Sequence, residues 1–269
     1  MKDAGTGDDE HRILIDLSHA EREAQRIADL LASLRKRHDL TRFEYTRLVR
    51  IQPAGPTHSH PILTLGTRFA DTEDMLLSTY LHEQMHWYLW RLGGPDHDPI
   101  APFFDELVRR YPKAPICLPD GARSYEQTYL HLVVCWLEMA ATTELIGPER
   151  AARVAGAPFG YRWIYRTVLD DREPLGELYR ANGLLPLRTP AELDEDERER
   201  KRAGANGTRT AQNDTPRKGT TPDGPTLSVA RAEQAPVSAG PRRRRPAAKL
   251  PPPRQGRRTA PARGDRSNA

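Results

Sequence analysis

The segment His82-Glu83-Gln84-Met85-His86 places two imidazoles and a carboxylate at a spacing that suits metal chemistry. On an α-helix, residues four positions apart lie on one face, so His82 and His86 can bind one ion through bonds of about 2.0–2.1 Å. Zinc lowers the pKa of a bound water from about 15.7 toward about 7, and Glu83 could then accept a proton from that water as a general base. The pattern therefore predicts a hydrolytic zinc site.

The same pattern has a simpler interpretation, because two histidines in an apolar helix can be core residues that hydrogen-bond to their neighbours. The surroundings favour the metal site. A helix is expected to begin at Asp71 or Thr72, either of which is a good N-cap, and to end at Gly93-Gly94-Pro95. Apolar and aromatic residues near the motif would give it a dry, rigid support: Leu76, Leu77, Tyr80, Trp87, Leu89 and Trp90.

This segment resembles the motif helix of the zincin superfamily of metallopeptidases. The similarity covers residues 72–92 and the order of elements, with strands before the motif helix and a second long helix after it. It implies a gluzincin-like single-domain member with a zinc ion, a peptide or protein substrate, His82 and His86 as ligands and Glu83 as the catalytic base. The metzincin pattern is excluded, because it requires Gly and His where this chain has Leu89 and Leu92.

The resemblance implies a third ligand on a later helix, and two residues are candidates. Glu138 lies in an otherwise apolar segment, residues 135–140, where a carboxylate is costly unless it is paired or bound to a metal. His131 lies seven residues earlier, two turns along the same helical face, and is equally able to point at the motif. Glu138 is slightly preferred, because the gluzincin-like branch uses a Glu. The other residue would orient a ligand or contact substrate, and either could instead make a structural hydrogen bond.

Other histidines are weaker ligand candidates. His58 and His60 precede a predicted strand in a loop, and His97 follows the motif helix closely enough to curl back toward it. The aromatic run Tyr161, Arg162, Trp163, Tyr165 and Arg166 could supply a hydrogen-bond donor to the oxyanion that forms when water attacks a carbonyl. At helical spacing, such a run also suits simple packing.

Hydrophobic periodicity predicts an α+β fold, in which a small antiparallel or mixed sheet precedes a motif helix packed against further helices. The strands are expected within residues 42–51 and 62–65, joined by a loop that contains Pro53-Ala54-Gly55-Pro56. Helices are expected over 19–38, 72–92, 103–111, 124–146, 149–154, 161–169 and 175–179.

Composition divides the chain into a domain at residues 1–190 and a disordered basic tail at residues 191–269. Residues 201–269 contain 16 Lys and Arg, 4 Asp and Glu, 10 of the 24 prolines and no aromatic residue, so they cannot build a core. Phosphate-rich polyanions such as nucleic acids are possible weak partners of the tail through Arg242–Arg245. A solvating tail with no defined partner is the alternative.

The sequence predicts a soluble cytoplasmic protein that does not bind membranes, because it shows no run of about 18 apolar residues and no signal-like segment. Cys117 and Cys135 are expected to be reduced structural thiols. The main functional hypothesis is a zinc metallopeptidase, and hydrolysis of a non-peptide amide would use the same site. An alternative hypothesis is a catalytically inactive zincin-like binding or regulatory domain, tethered to nucleic acid or a partner by the tail. A structural zinc would then need a fourth protein ligand in place of an open water position.

Overall fold

The computed structural model describes residues 12–15, 21–67, 72–94, 97–157 and 160–210. Within these ranges, three short strands are followed or flanked by eight α-helices, and 3₁₀ turns occur at Leu40–Phe43 and Ala101–Phe103. The elements are β1 (Arg12–Ile15), α1 (Glu21–Arg37), β2 (Leu48–Ile51), β3 (Leu63–Leu65), α2 (Glu73–Gly93), α3 (Phe104–Arg110), α4 (Tyr125–Ile146), α5 (Pro148–Ala155), α6 (Arg162–Asp170), α7 (Arg172–Ala181) and α8 (Pro190–Thr210). The α+β class is confirmed.

The sheet is parallel, so the predicted antiparallel or mixed sheet is wrong. Its strand order is β1-β2-β3, with Ile13 paired with Val49 and Arg50 paired with Thr64. Strand β1 was not predicted, and α1 connects it to β2 as the crossover that parallel strands require. The chain from β2 to β3 is also too long for a tight hairpin. His58 in that connection forms an isolated antiparallel bridge with Thr64, so the chain turns back before β3 begins.

The two long helices α2 and α4 have well-defined ends, as the sequence predicts. Thr72 and Ser124 are the N-caps, and each side chain accepts a hydrogen bond from the backbone amide three residues later, at 3.2 and 3.1 Å. Both helices end at a glycine with positive φ, 77° at Gly94 and 84° at Gly147. A side chain would strain the backbone there, so these glycines define where the helices stop.

Helix α4 forms the centre of the core and packs against α2, α5 and α6. By length and apolar composition it could cross a membrane, but 72% of the relevant window is buried inside the fold. Four buried polar residues lie on it, Thr128, His131, Glu138 and Thr142, and the two ionisable ones, His131 and Glu138, are 7% and 2% exposed. Buried polar groups need partners, so α4 is a helix whose apolar core supports a polar site.

Helix α8 extends the ordered chain beyond the predicted domain boundary at residue 190. Leu193 is 1% exposed, and Asp194 pairs with Arg91 at the end of α2. Asp196 pairs with Arg188 in the segment before the helix. The predicted disordered tail from residue 191 thus begins instead with a helix that contacts the domain. The reason is that the charged residues of 191–202 form helical ion pairs around one buried leucine. Residues 211–269 lie outside the described residues.

Candidate metal centre

The motif histidines lie one turn apart on α2 and face the core. His82 and His86 are 8% and 2% exposed, and their ring centroids are 5.2 Å apart. Glu83 follows His82 directly and is 7% exposed. Because successive helical residues are rotated by about 100°, Glu83 flanks the face that the two histidines share. The side-chain types and positions therefore agree with two ligands and an adjacent base.

Gln84, the first variable residue of the motif, fixes the rotation of this helix. Its amide nitrogen donates to the Thr46 carbonyl at 2.8 Å, and its amide oxygen accepts from the Thr46 backbone nitrogen at 3.0 Å. The same nitrogen also donates to the Tyr80 hydroxyl, which donates to Glu44. Burial raises the pKa of Glu44, while Arg35, at 2.8 Å, lowers it. This network ties α2 to the segment before β2 on the side of the helix opposite the histidines.

Helix α4 brings His131 to the motif with a defined tautomer. Its Nδ1 lies 2.8 Å from the carbonyl oxygen of Gln127. A carbonyl can only accept, so Nδ1 carries the proton and the neutral ring has its lone pair on Nε2. The ring centroid lies 5.6 Å from that of His82 and 5.1 Å from that of His86. The Nε2 atom of His131 accepts a hydrogen bond from the Tyr161 hydroxyl at 3.1 Å, beside both motif histidines.

Glu138 also reaches the motif, but it does so through the far nitrogen of His82. Its Oε2 lies 3.0 Å from His82 Nδ1 and accepts a hydrogen bond from Tyr165 Oη at 2.8 Å. Its Oε1 accepts from Ser78 Oγ, one turn before His82 on α2. Three donors thus surround one buried carboxylate, and their hydrogen bonds offset the free-energy cost of burying it. With Nδ1 of His82 held in this way, Nε2 is the nitrogen that remains to bind a metal.

The electrostatics on this side of His82 agree with the hydrogen bonds. Burial lowers the pKa of His82, but the contacts of its ring with Cys135 and Glu138 raise the pKa by more than burial lowers it. The pKa of His82 therefore lies well above its ordinary value. Burial, together with Cys135 and Glu138, raises the pKa of Tyr165 well above its ordinary value. Burial also raises the pKa of the Cys135 thiol. Tyr165 is therefore protonated at neutral pH and can donate to Glu138.

Two groups of side chains could hold an ion, and they share His82. In one group, ligand atoms of His82, His86 and His131 lie within 4.8 Å of one another, and in the other those of His82, Cys135 and Glu138 do. In tetrahedral zinc sites with nitrogen bonds of about 2.0–2.1 Å, three imidazole centroids lie roughly 5.2 Å apart. The three histidine centroids are 5.1, 5.2 and 5.6 Å apart, so they fit a zinc ion.

Two tyrosines at the start of helix α6 contact the two polar α4 residues. Tyr161 and Tyr165 are four residues apart, and their hydroxyls reach His131 Nε2 at 3.1 Å and Glu138 Oε2 at 2.8 Å. Tyr161 has a left-handed backbone with φ 59°. In a non-glycine residue this conformation costs on the order of 1–3 kcal/mol, and such residues cluster at functional sites. Tyr161 therefore contacts the histidine group through its hydroxyl.

The other predicted candidates lie apart from these two groups. His58 Nδ1 is 3.0 Å from the Pro56 carbonyl, and the His60 ring stacks on Trp87 at 4.3 Å. His97 is exposed. The convergent groups found among the described residues contain none of these three histidines.

Sequence reasoning missed Ser78, treated Cys135 as structural only, and considered Tyr165 only as part of the aromatic run and not as a partner of Glu138. Periodicity could have indicated Ser78, since it lies four residues before His82. Comparison of the chain with known protein families, with curated proteins and with solved structures gave no match.

Proposed function

We propose that the chain is a zinc-dependent hydrolase, and specifically a metallopeptidase, with His82, His86 and His131 as the zinc ligands. The observation that carries the proposal is the triangle of three buried imidazoles with the centroid spacing of a tetrahedral site. The hydrogen bonds support it, because Glu138 and the Gln127 carbonyl hold Nδ1 of two rings, so that Nε2 is the nitrogen of each ring that would face an ion. This assignment reverses the preference for Glu138 as the third ligand.

Glu138 has a supporting role in this proposal. A histidine ligand commonly donates its second ring nitrogen to a carboxylate, which fixes the ring and makes it a stronger donor. The bond from His82 Nδ1 to Glu138 has this geometry, and Ser78 and Tyr165 hold the carboxylate in place. A direct bond from Glu138 to the ion would require these hydrogen bonds to rearrange.

The residues around the ion would divide the work of hydrolysis. A bound zinc ion would lower the pKa of water at its open position and polarise the carbonyl of a peptide bond. Glu83 would accept the proton from the attacking water and pass it to the leaving amine, which completes the proton balance. Tyr161 lies beside His131 and could donate its hydroxyl to the oxyanion. The burial of Glu83 and the three histidines would keep bulk water away from the reacting groups.

Metal analysis combined with a peptidase assay tests this proposal. The purified protein should contain about one zinc per chain, and His86→Ala should lose it. Glu83→Gln should keep zinc and fold but hydrolyse a mixed peptide library slower by on the order of 10² or more. Full zinc content in His86→Ala would contradict the site. Unchanged turnover in Glu83→Gln would remove Glu83 from the mechanism, and zinc binding without any hydrolysis would favour the binding or regulatory alternative.

A further inference from the structure

Three aromatic rings, those of His60, Trp87 and Trp90, form a group at the C-terminal end of α2. The His60 ring stacks on Trp87, with centroids 4.3 Å apart and planes 22° from parallel. Trp90 meets Trp87 edge-on, with centroids 5.5 Å apart, and its centroid lies 6.4 Å from that of His60. Trp90 is 38% exposed, although tryptophan is highly buried on average. This aromatic group therefore presents one ring to solvent on a half-buried aromatic base.

The loop before β3 holds the base of the aromatic group in place. The backbone carbonyl of Ser59, a buried residue, accepts a hydrogen bond from Trp87 Nε1 at 2.8 Å. The Ser59 hydroxyl lies 2.9 Å from His60 Nδ1. His58 pairs with Thr64 through two backbone hydrogen bonds of 3.0 and 2.7 Å. The His60 and Trp87 rings are therefore positioned before any ligand binds, so binding would not include the entropic cost of ordering them.

Helical geometry places the aromatic group next to the residues of the proposed zinc site. Trp90 lies one turn after His86, about 6 Å further along the helix axis. Because successive residues are rotated by about 100°, Trp90 falls between His86 and Glu83 in angular position. Helical side chains lean toward the N-terminus of their helix, so Trp90 leans over the turn that carries His86. An extended peptide spans about 3.3 Å per residue, so the Trp90 ring would meet a side chain about two residues from the cleaved bond.

We propose that the aromatic group is a substrate subsite that recognises an aromatic side chain of the peptide, close to the bond that is cleaved. This inference rests on the proposed function and narrows its substrates to peptides with Phe, Tyr or Trp at one position. Aromatic pairs prefer edge-to-face or offset-stacked contacts, and these contacts add free energy beyond the burial of apolar area. The exposed ring of Trp90 and the nearly perpendicular ring of Trp87 offer both kinds of contact. An aliphatic side chain of similar size would gain area burial alone.

A series of unlabelled Ala-Gly peptides tests this subsite with the zinc-loaded full chain. Each peptide carries a single Phe or Leu at a different position, and mass spectrometry follows its cleavage. At one position, Phe should raise kcat/KM over Leu by about 2- to 12-fold, the range that an aromatic pair adds beyond area burial. Trp90→Leu should lose this preference, and Trp90→Phe should keep it.

Two controls show whether the effect belongs to the subsite. Peptides with Ala at that position should be cleaved equally fast by the wild type and by Trp90→Leu, because the zinc ligands and Glu83 are unchanged. Tyr125→Leu is the matched control variant, since Tyr125 is the first residue of α4 and an aromatic residue that is 51% exposed. It should keep the preference for Phe. Loss of the preference in Tyr125→Leu as well would contradict a subsite made by Trp90.

Binding measured without turnover separates this inference from the proposed function. In the Glu83→Gln protein, calorimetry should show tighter binding of the Phe peptide than of the Leu peptide, and adding Trp90→Leu should remove the difference. If peptides are hydrolysed without a preference for Phe, or if Trp90→Leu keeps it, the inference fails while the hydrolase stands. A preference for Lys over Phe would assign the rings to a cation and overturn the inference. If no peptide is hydrolysed, the proposed function fails, and equal binding of the two peptides would then overturn the inference as well.

Discussion

The two sides of the His82 ring differ in the kind of groups that meet there. On the Nδ1 side, Glu138 accepts from Ser78, His82 and Tyr165, so each oxygen of the carboxylate already has a donor. On the Nε2 side, the rings of His86 and His131 converge with His82 at the spacing of a metal site. A buried carboxylate with three donors is stable without an ion. The three imidazoles instead lie at the spacing of a tetrahedral zinc site, and this difference is the reason we propose that an ion binds on the Nε2 side.

The largest expected effect is on zinc affinity, and it comes from a comparison of His131→Ala with Glu138→Ala. His131→Ala should weaken zinc binding by more than the roughly 100-fold upper limit of an outer partner, because it deletes a ligand. Glu138→Ala should cost about 10- to 100-fold, because it only frees the His82 ring. Chelator competition measures both, and Glu138→Gln should fall between Glu138→Ala and wild type. The reverse order would make Glu138 the ligand and move the ion to the Nδ1 side.

A smaller effect, on stability, is expected from a substitution on the opposite face of the motif helix. Gln84→Ala should lower the free energy of unfolding by about 1–3 kcal/mol, because it removes both hydrogen bonds that Gln84 makes with the partly buried backbone groups of Thr46. Zinc content should stay near one per chain. Gln25→Ala is the matched control, since Gln25 makes one exposed hydrogen bond, to Asp29. Denaturant unfolding compares the two variants. Loss of zinc in Gln84→Ala would show that the position of the histidines depends on the hydrogen bonds between Gln84 and Thr46.

The smallest effect is expected from the tail. Removal of residues 211–269 should leave the melting temperature and zinc content nearly unchanged, because this stretch has no aromatic residue to add to a core. Binding to nucleic acid should fall and lose its salt dependence. Thermal unfolding and a salt titration with duplex DNA check the two parts. A large loss of stability would show that the tail contributes to the fold that holds the metal site.

Local sequence signals predicted the helices that carry the site, but they could not predict the sheet. The caps at Thr72 and Ser124 and the glycine stops at Gly94 and Gly147 are short-range features, and the structure has them where expected. Strand direction depends on pairing between distant segments. The short strand Arg12–Ile15 lies next to a polar segment and has too few residues for a clear alternating pattern, so the βαβ connection was missed.

The sequence alone also could not decide whether His131 or Glu138 is the better candidate for the third ligand. Both residues lie on one face of α4, two turns apart, so periodicity places them equally well. Their roles differ because α6 packs Tyr165 against Glu138 and because Ser78 reaches the same carboxylate from α2. These contacts join three helices. A single-helix pattern contains no information about them, which is why the preference for Glu138 came from a resemblance and not from the residues.

X-ray absorption at the zinc edge tests the central claim most directly, because it reports the ligand atoms of the bound ion. The two candidate groups predict different spectra, since one contains three imidazoles and the other contains Cys135. We predict nitrogen and oxygen neighbours at about 2.0–2.1 Å with the outer-shell scattering of three imidazoles, and that one imidazole is lost in a zinc-reloaded His131→Ala protein. A sulfur neighbour at about 2.3 Å, or a signal of a single imidazole, would contradict the three-histidine site.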